Sequence, residues 1–283
     1  MSTTREQIAT AAAQLVGDGH ELFVVSNREV LDTLDLAPFG TPVTALDFLA
    51  PARAGWSVAD LMRAYNVLNA TAFGEKGIPL QNWVMIDLGL LPSAFVLVTL
   101  SPERAQAALD DAARNGAGRR RQELVLGAVL AEARRLDYTG PLPVAGYCAA
   151  PTPSTGSWVG WSLCSAIPGL ATTVKGLALE IYGARTLTGV AQFSDLGLRV
   201  HRKFGRMEIL RAVLDLHPVP HTMVYRTEVF QNGDDHVPPS FWLDCDDLDG
   251  QRRMQAALDA GSARFQILSP GLVDDRVPIL ECR

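Results

Sequence analysis

Hydrophobic positions along this chain switch repeatedly between the two-residue period of strands and the three-to-four-residue period of helices, with Gly and Pro at the switches. Ile8, Ala12 and Leu15 share one face of a helix predicted over Thr3 to Val16. Glu21 to Ser26 reads as a strand and Arg28 to Leu34 as a helical turn. Val43 to Leu49 reads as a second strand, begun at Thr41-Pro42 and ended at Pro51. Ser57 opens a helix with the spacing of a capping box, Asp60 standing where Glu or Gln is usual. Leu61, Tyr65, Leu68 and Ala72 continue it, and Gly74 and Gly77 close it. Asn82 to Asp87 and Ala94 to Leu100 read as a hairpin around Gly89 and Pro92. Ser101-Pro102-Glu103 is a strong helix start. That pattern breaks at Asn115 to Gly118 and resumes from Arg121 to Leu136, which predicts a helical hairpin inserted between sheet strands.

The stretch from Pro141 to Thr227 organises the rest. Strands are predicted over Pro143 to Ala150 and Ser157 to Ile167, separated by a Pro/Gly turn. An amphipathic helix over Leu170 to Tyr182 follows Pro168-Gly169 and stops at Gly183. Then come a strand, Thr186 to Phe193, a basic segment ending at Gly205, and a strand pair across Pro218-Val219-Pro220. Gln231 to Pro239 is a polar loop, Asp246 to Ala260 a helix, and Phe265 to Leu268 and Val277 to Leu280 short strands. The expected fold is α/β, a mixed, largely antiparallel sheet flanked by helices.

A net charge of −6 over 283 residues argues against nucleic acid as a partner, since phosphate binding needs a basic surface. No apolar run reaches the roughly 18 residues that span a bilayer, and the polar, alanine-rich start does not read as a signal peptide. The four cysteines lack CxxC spacing and the five histidines lack HExxH spacing, so no metal site is expected; a reduced, cytoplasmic setting is.

Two stretches carry candidate chemistry. In Ser165 to Thr173 a strand ends in a glycine turn and a helix begins, so unsatisfied amides present a partial positive charge suited to a pyrophosphate. A plain strand-to-helix turn has the same pattern. In Ser194 to Gly205, the spacing after a strand resembles N-x-x-A-x-x-x-Y-x-K-x-G, the late signature of the GNAT superfamily of N-acetyltransferases. Ser194 stands in the Asn place, Gly197 in the Ala place and His201 in the Tyr place, followed by Lys203 and Gly205. The element order resembles that superfamily over roughly residues 41 to 229. At the pyrophosphate turn Ala166, Gly169 and Ala171 keep the small residues, but Ala166 stands where members carry Gln or Arg.

The resemblance implies a GNAT-like core over 41–230 with a helical insertion at 101–136, an N-terminal extension over 1–40, and a C-terminal extension over 231–283 packed on the core. It implies acetyl-CoA or another acyl-CoA as co-substrate, with an acyl carrier protein as the alternative donor, and transfer to an amine of a small molecule. Leu163, Cys164, Ser165, Gly169, Leu170, Ala171, Thr172, Thr173 and Ser194 would bind the cofactor. His201 would be the general acid, and Glu208 or Glu228 a base acting through water. Buried Cys148 and Cys164 are expected to be inert, and His217 and His221 flank a rigid turn near a substrate mouth. A strand near Val224, taken as an edge, offers a route to a homodimer. A rival resemblance exists. Glu180-Ile181-Tyr182-Gly183 before a strand is similar to a stretch of acetoacetate-decarboxylase-like proteins, whose Schiff-base Lys corresponds to Thr186 here. A third reading is a non-catalytic ligand-binding relative.

Overall fold

The computed structural model describes residues 3–37, 40–50, 55–74, 81–231 and 237–282. The fold is mixed α/β, a large, mostly antiparallel open sheet flanked by helices, as expected. The chain divides into two compact units, and strand β5 (Ser157–Ser165) contributes residues to both.

One unit holds residues 8–151 and 161–183. Its strands are β1 (Glu21–Ser26), β2 (Thr44–Asp47), β3 (Ala94–Leu100) and β4 (Leu142–Pro151), in the order β2-β1-β3-β4. β1 runs parallel to β2 and antiparallel to β3, and β3 is antiparallel to β4 with a bulge at Val98/Thr99. Every residue of β3 is buried, as a strand covered on both faces must be. On one face lies α3 (Val58–Gly74): a Cβ on Gly146 of β4 would meet Tyr65 Cε2 at 2.3 Å. On the opposite face lies α7 (Leu170–Ile181), whose Lys175 sits over the ring of the next β4 residue, Tyr147. Helices α1 (Arg5–Gly17) and α2 (Arg28–Leu31) precede α3, which Ser57 caps: its Oγ accepts from Asp60 N–H at 3.1 Å, and its hydroxyl donates to Asp60 Oδ2 at 2.6 Å. α5 (Pro102–Arg114) and α6 (Arg120–Arg135) make the expected helical hairpin between β3 and β4, and Ser101 caps α5. The stretch Asn82–Leu90 is helix α4 and not the first strand of a hairpin. Its apolar run looks strand-like, but Met85 and Leu88, three residues apart, are the pair that is buried. Gly77 and Pro51 lie outside the described residues.

The other unit holds residues 1–7, 152–160 and 184–283. Its strands are the start of β5, β6 (Thr186–Gln192), β7 (Gly205–Arg211), β8 (Thr222–Val229), β9 (Phe241–Asp244), β10 (Arg264–Ile267) and β11 (Arg276–Cys282). The order is β5-β6-β8-β7-β10-β11-β9. β5 and β6 run parallel over Ser157–Val159 and Thr186–Thr188; the other pairings are antiparallel. β8 pairs with β6 on one side and β7 on the other, so Val224 is not on an edge strand and the expected route to a dimer is corrected. Phe193, Leu198, Met207, Tyr225, Met254 and Phe265 belong to its core, which draws on α8 (Gly197–His201) and α9 (Leu248–Asp259). β9 carried no strand expectation; four residues with an exposed Trp242 give too little pattern.

Candidate functional site

The turn between β5 and α7 is built from its own backbone. Ser165 Oγ donates to Ile167 O at 2.6 Å, Leu170 N–H to Ile167 O at 3.4 Å and Thr172 N–H to Gly169 O at 3.3 Å. Gly169 has φ 90°, which side-chain-bearing residues rarely adopt, and nothing lies within 4 Å of the Cβ it lacks. The outer face of the turn is therefore open. No side chain caps α7, and Ala171, Thr172 and Thr173 of its first turn are half-buried. This is the geometry in which amides and helix dipole favour an anion. Leu170 points into the core. Ala166 is buried and its N–H donates to Val144 O at 2.8 Å, so it is a core position.

On β5 itself Ser162 and Cys164 are buried while Leu163 and Ser165 are half-buried. Asn69 Nδ2 donates to Ser162 Oγ at 2.5 Å, beside Tyr65 and Cys164. Burial pushes the Cys164 thiol up to about 12 and the Cys148 thiol well above its ordinary value, so neither is a nucleophile near neutrality. Cys164 can serve the predicted site only through its main chain. Lys175 carried no sequence expectation; its signal was a lone cation inside an apolar helical run. It is fully buried, and burial lowers its ammonium to about 7.

The second set of predicted residues lies in the other unit. Ser194 is exposed on the turn after β6. Asp195 Oδ1 accepts from Gly197 N–H at 2.7 Å and so starts α8. His201 ends that helix, half-buried, its ring 5.3 Å from that of Tyr225 on β8. A Cβ on Gly197 would lie 3.1 Å from Asp195 Oδ1 and 3.5 Å from His201 Nε2, so both groups flank the same backbone position. Tyr225 is buried, and burial, then the Asp195 charge, raises its phenol pKa. Asp195, His201 and Tyr225 thus form one constellation, of which the sequence pointed only to His201.

Glu208 and Glu228 lie away from it. Glu208 is held by Arg226 at 2.6 Å across the β7–β8 pair, and Glu228 is exposed on β8. His217 and His221 serve the loop between these strands: Val219 N–H donates to His217 Nδ1 at 3.1 Å, and the His221 ring meets Gln251 Oε1 at 3.2 Å. Gly205 (φ 152°) has a structural cause, because a Cβ there would sit 2.0 Å from Glu228 O. The turn residues belong to one unit and His201, Glu208, Glu228 and Ser194 to the other, so neither unit alone carries the predicted set. Among the described residues no group of three or more His, Cys, Asp or Glu is placed to hold a metal, and no helix is long and apolar enough to cross a membrane.

No family model matches this chain, and no curated protein matches it. Among solved structures, FemX is similar over 64% of this chain at 11% identity and a TM-score of 0.27. The match spans 48% of the FemX chain.

Proposed function

We propose that this protein is an acyltransferase that moves an acyl group from an acyl-CoA thioester to an amine of a small molecule. The observation that carries the reading is the uncapped start of α7 at an open glycine turn directly after β5. The chain order supports it: β5, turn, α7, parallel β6, short α8, then the β7–β8 hairpin with β8 beside β6. The Ala171 N–H and the positive end of the α7 dipole would hold the diphosphate, and main-chain groups of Leu163 to Ser165 would pair with pantetheine amides. The acceptor nitrogen attacks the thioester carbonyl, and the C–S bond breaks as the tetrahedral intermediate collapses. The departing thiolate takes up a proton from water or buffer, and the nitrogen gives up its own the same way.

Calorimetric titration with acetyl-CoA and a longer acyl-CoA tests the reading. Saturable binding of either supports it; no binding at millimolar ligand overturns it. One observation favours a second reading, a non-catalytic relative: Ala166 is buried where GNAT members carry Gln or Arg. Saturable acyl-CoA binding with no thiol release against a panel of amines would establish that alternative.

A further inference from the structure

In the unit that holds β6 to β11, a cavity of about 280 Å³ is lined by Arg202, Arg206, Arg264, Gln266, Leu280 and Cys282, with further apolar neighbours. Strand parity explains why these side chains meet. On β10 and β11, Arg264 lies opposite Cys282 and Gln266 opposite Leu280, so all four point to one face. Gln266 lies opposite Glu208 on β7, which puts Glu208 and its second neighbour Arg206 on that face as well. Arg202 enters from the turn before β7. It is 3% exposed, and its Nε and Nη1 donate to Ile267 O and Gly205 O at 2.9 and 3.0 Å, which fixes the guanidinium plane.

Three guanidiniums thus converge in a chain whose net charge is −6, and no carboxylate is among the described lining residues. Glu208, on the same face, is engaged by Arg226 at 2.6 Å. We propose that this cavity is a binding site for a small phosphate monoester. Guanidinium forks match phosphate oxygens, and three cations favour a dianion over a monocarboxylate. Gln266 offers an amide donor, and Leu280 offers apolar surface to the organic part of the ester. The volume falls just below the roughly 300–1,000 Å³ of sites for drug-sized ligands, so the ester is small. The site stands independently of the acyl-CoA reading.

Cys282 supplies the assay. It is half-exposed, and the other three cysteines are buried. A neutral thiol reagent, dithiodipyridine, will therefore label Cys282 first, and Cys282→Ser removes that fast phase. Saturating phenyl phosphate, compared with chloride at equal ionic strength, should slow the labelling about tenfold or more. Arg206→Gln and Arg264→Gln replace exposed side chains; each should raise the half-protecting concentration about tenfold, the size of a lost charge-assisted pair, with an unchanged melting temperature. Equal protection by benzoate overturns the phosphate assignment. Protection no greater than with chloride, or unchanged in both arginine variants, overturns the site itself.

Discussion

Replacing Ala171 with Asp separates binding from folding at the glycine turn. Ala171 is the second residue of α7, half-buried, on a helix with no side-chain cap. A carboxylate in a first turn interacts favourably with the helix dipole by about 0.3–1 kcal/mol, so the variant should fold as well as its parent. The same carboxylate would stand roughly 5 Å from a diphosphate bound at the Ala171 N–H. At an effective dielectric of about 20, each phosphate charge is then repelled by about 3.3 kcal/mol. Screening at physiological salt, with a Debye length near 8 Å, leaves about 1.8 kcal/mol, or roughly twentyfold in affinity per charge. Calorimetric titration with acetyl-CoA should show Kd raised at least twentyfold, with the gap narrowing as salt rises. An equal Kd in a folded Ala171→Asp protein would refute placement of the diphosphate at this turn.

Gly146→Ala should cost about 1–3 kcal/mol in urea unfolding, since its Cβ would meet Tyr65 Cε2 at 2.3 Å and Leu97 Cδ2 at 2.9 Å; a midpoint equal to wild type would show that Tyr65 can move aside. Lys175 has its folded pKa lowered to about 7 by burial, so from about pH 7 to its unfolded value the unfolded chain binds the extra proton. Its contribution to stability therefore rises with pH in that window, by up to about 1.4 kcal/mol per pH unit, and the burial cost is full below it. Buried Cys148 and Cys164 titrate in the opposite sense, so the comparison is with Lys175→Met, against which wild type should gain stability between pH 7 and 9; parallel pH profiles would refute the assignment.

Local chemistry made most elements legible. Ser57 with Asp60, Ser101 with Pro102, and Gly169 before an apolar face each act within a few residues, and all three start helices. The stretch Asn82–Leu90 misled because Val84, Met85 and Ile86 form a strand-like run, whereas tertiary packing selects Met85 and Leu88 on a helix. The glycine turn could be read for the same local reason. The pairing of His201 with Tyr225 could not, because it depends on the register of β6 with β8, in which Tyr225 lies opposite Gly189 and a Cβ there would meet the phenol oxygen at 2.6 Å. The arginine cavity was hidden more deeply, since it needs the register of β7 against β10, from which β8, β9 and α9 separate it in sequence.

The division of β5 bears on how such a protein can be taken apart. Residues 157–160 belong to one unit and 161–165 to the other, and the first unit also takes residues 1–7 from the far end of the chain. No single cut in the polypeptide, and so no single boundary in a coding sequence, frees either unit whole. Tolerated insertion or shuffling is to be sought in the connections at the surface of each unit, such as Asn115 to Gly118 at the tip of the helical hairpin, and not at a seam between modules.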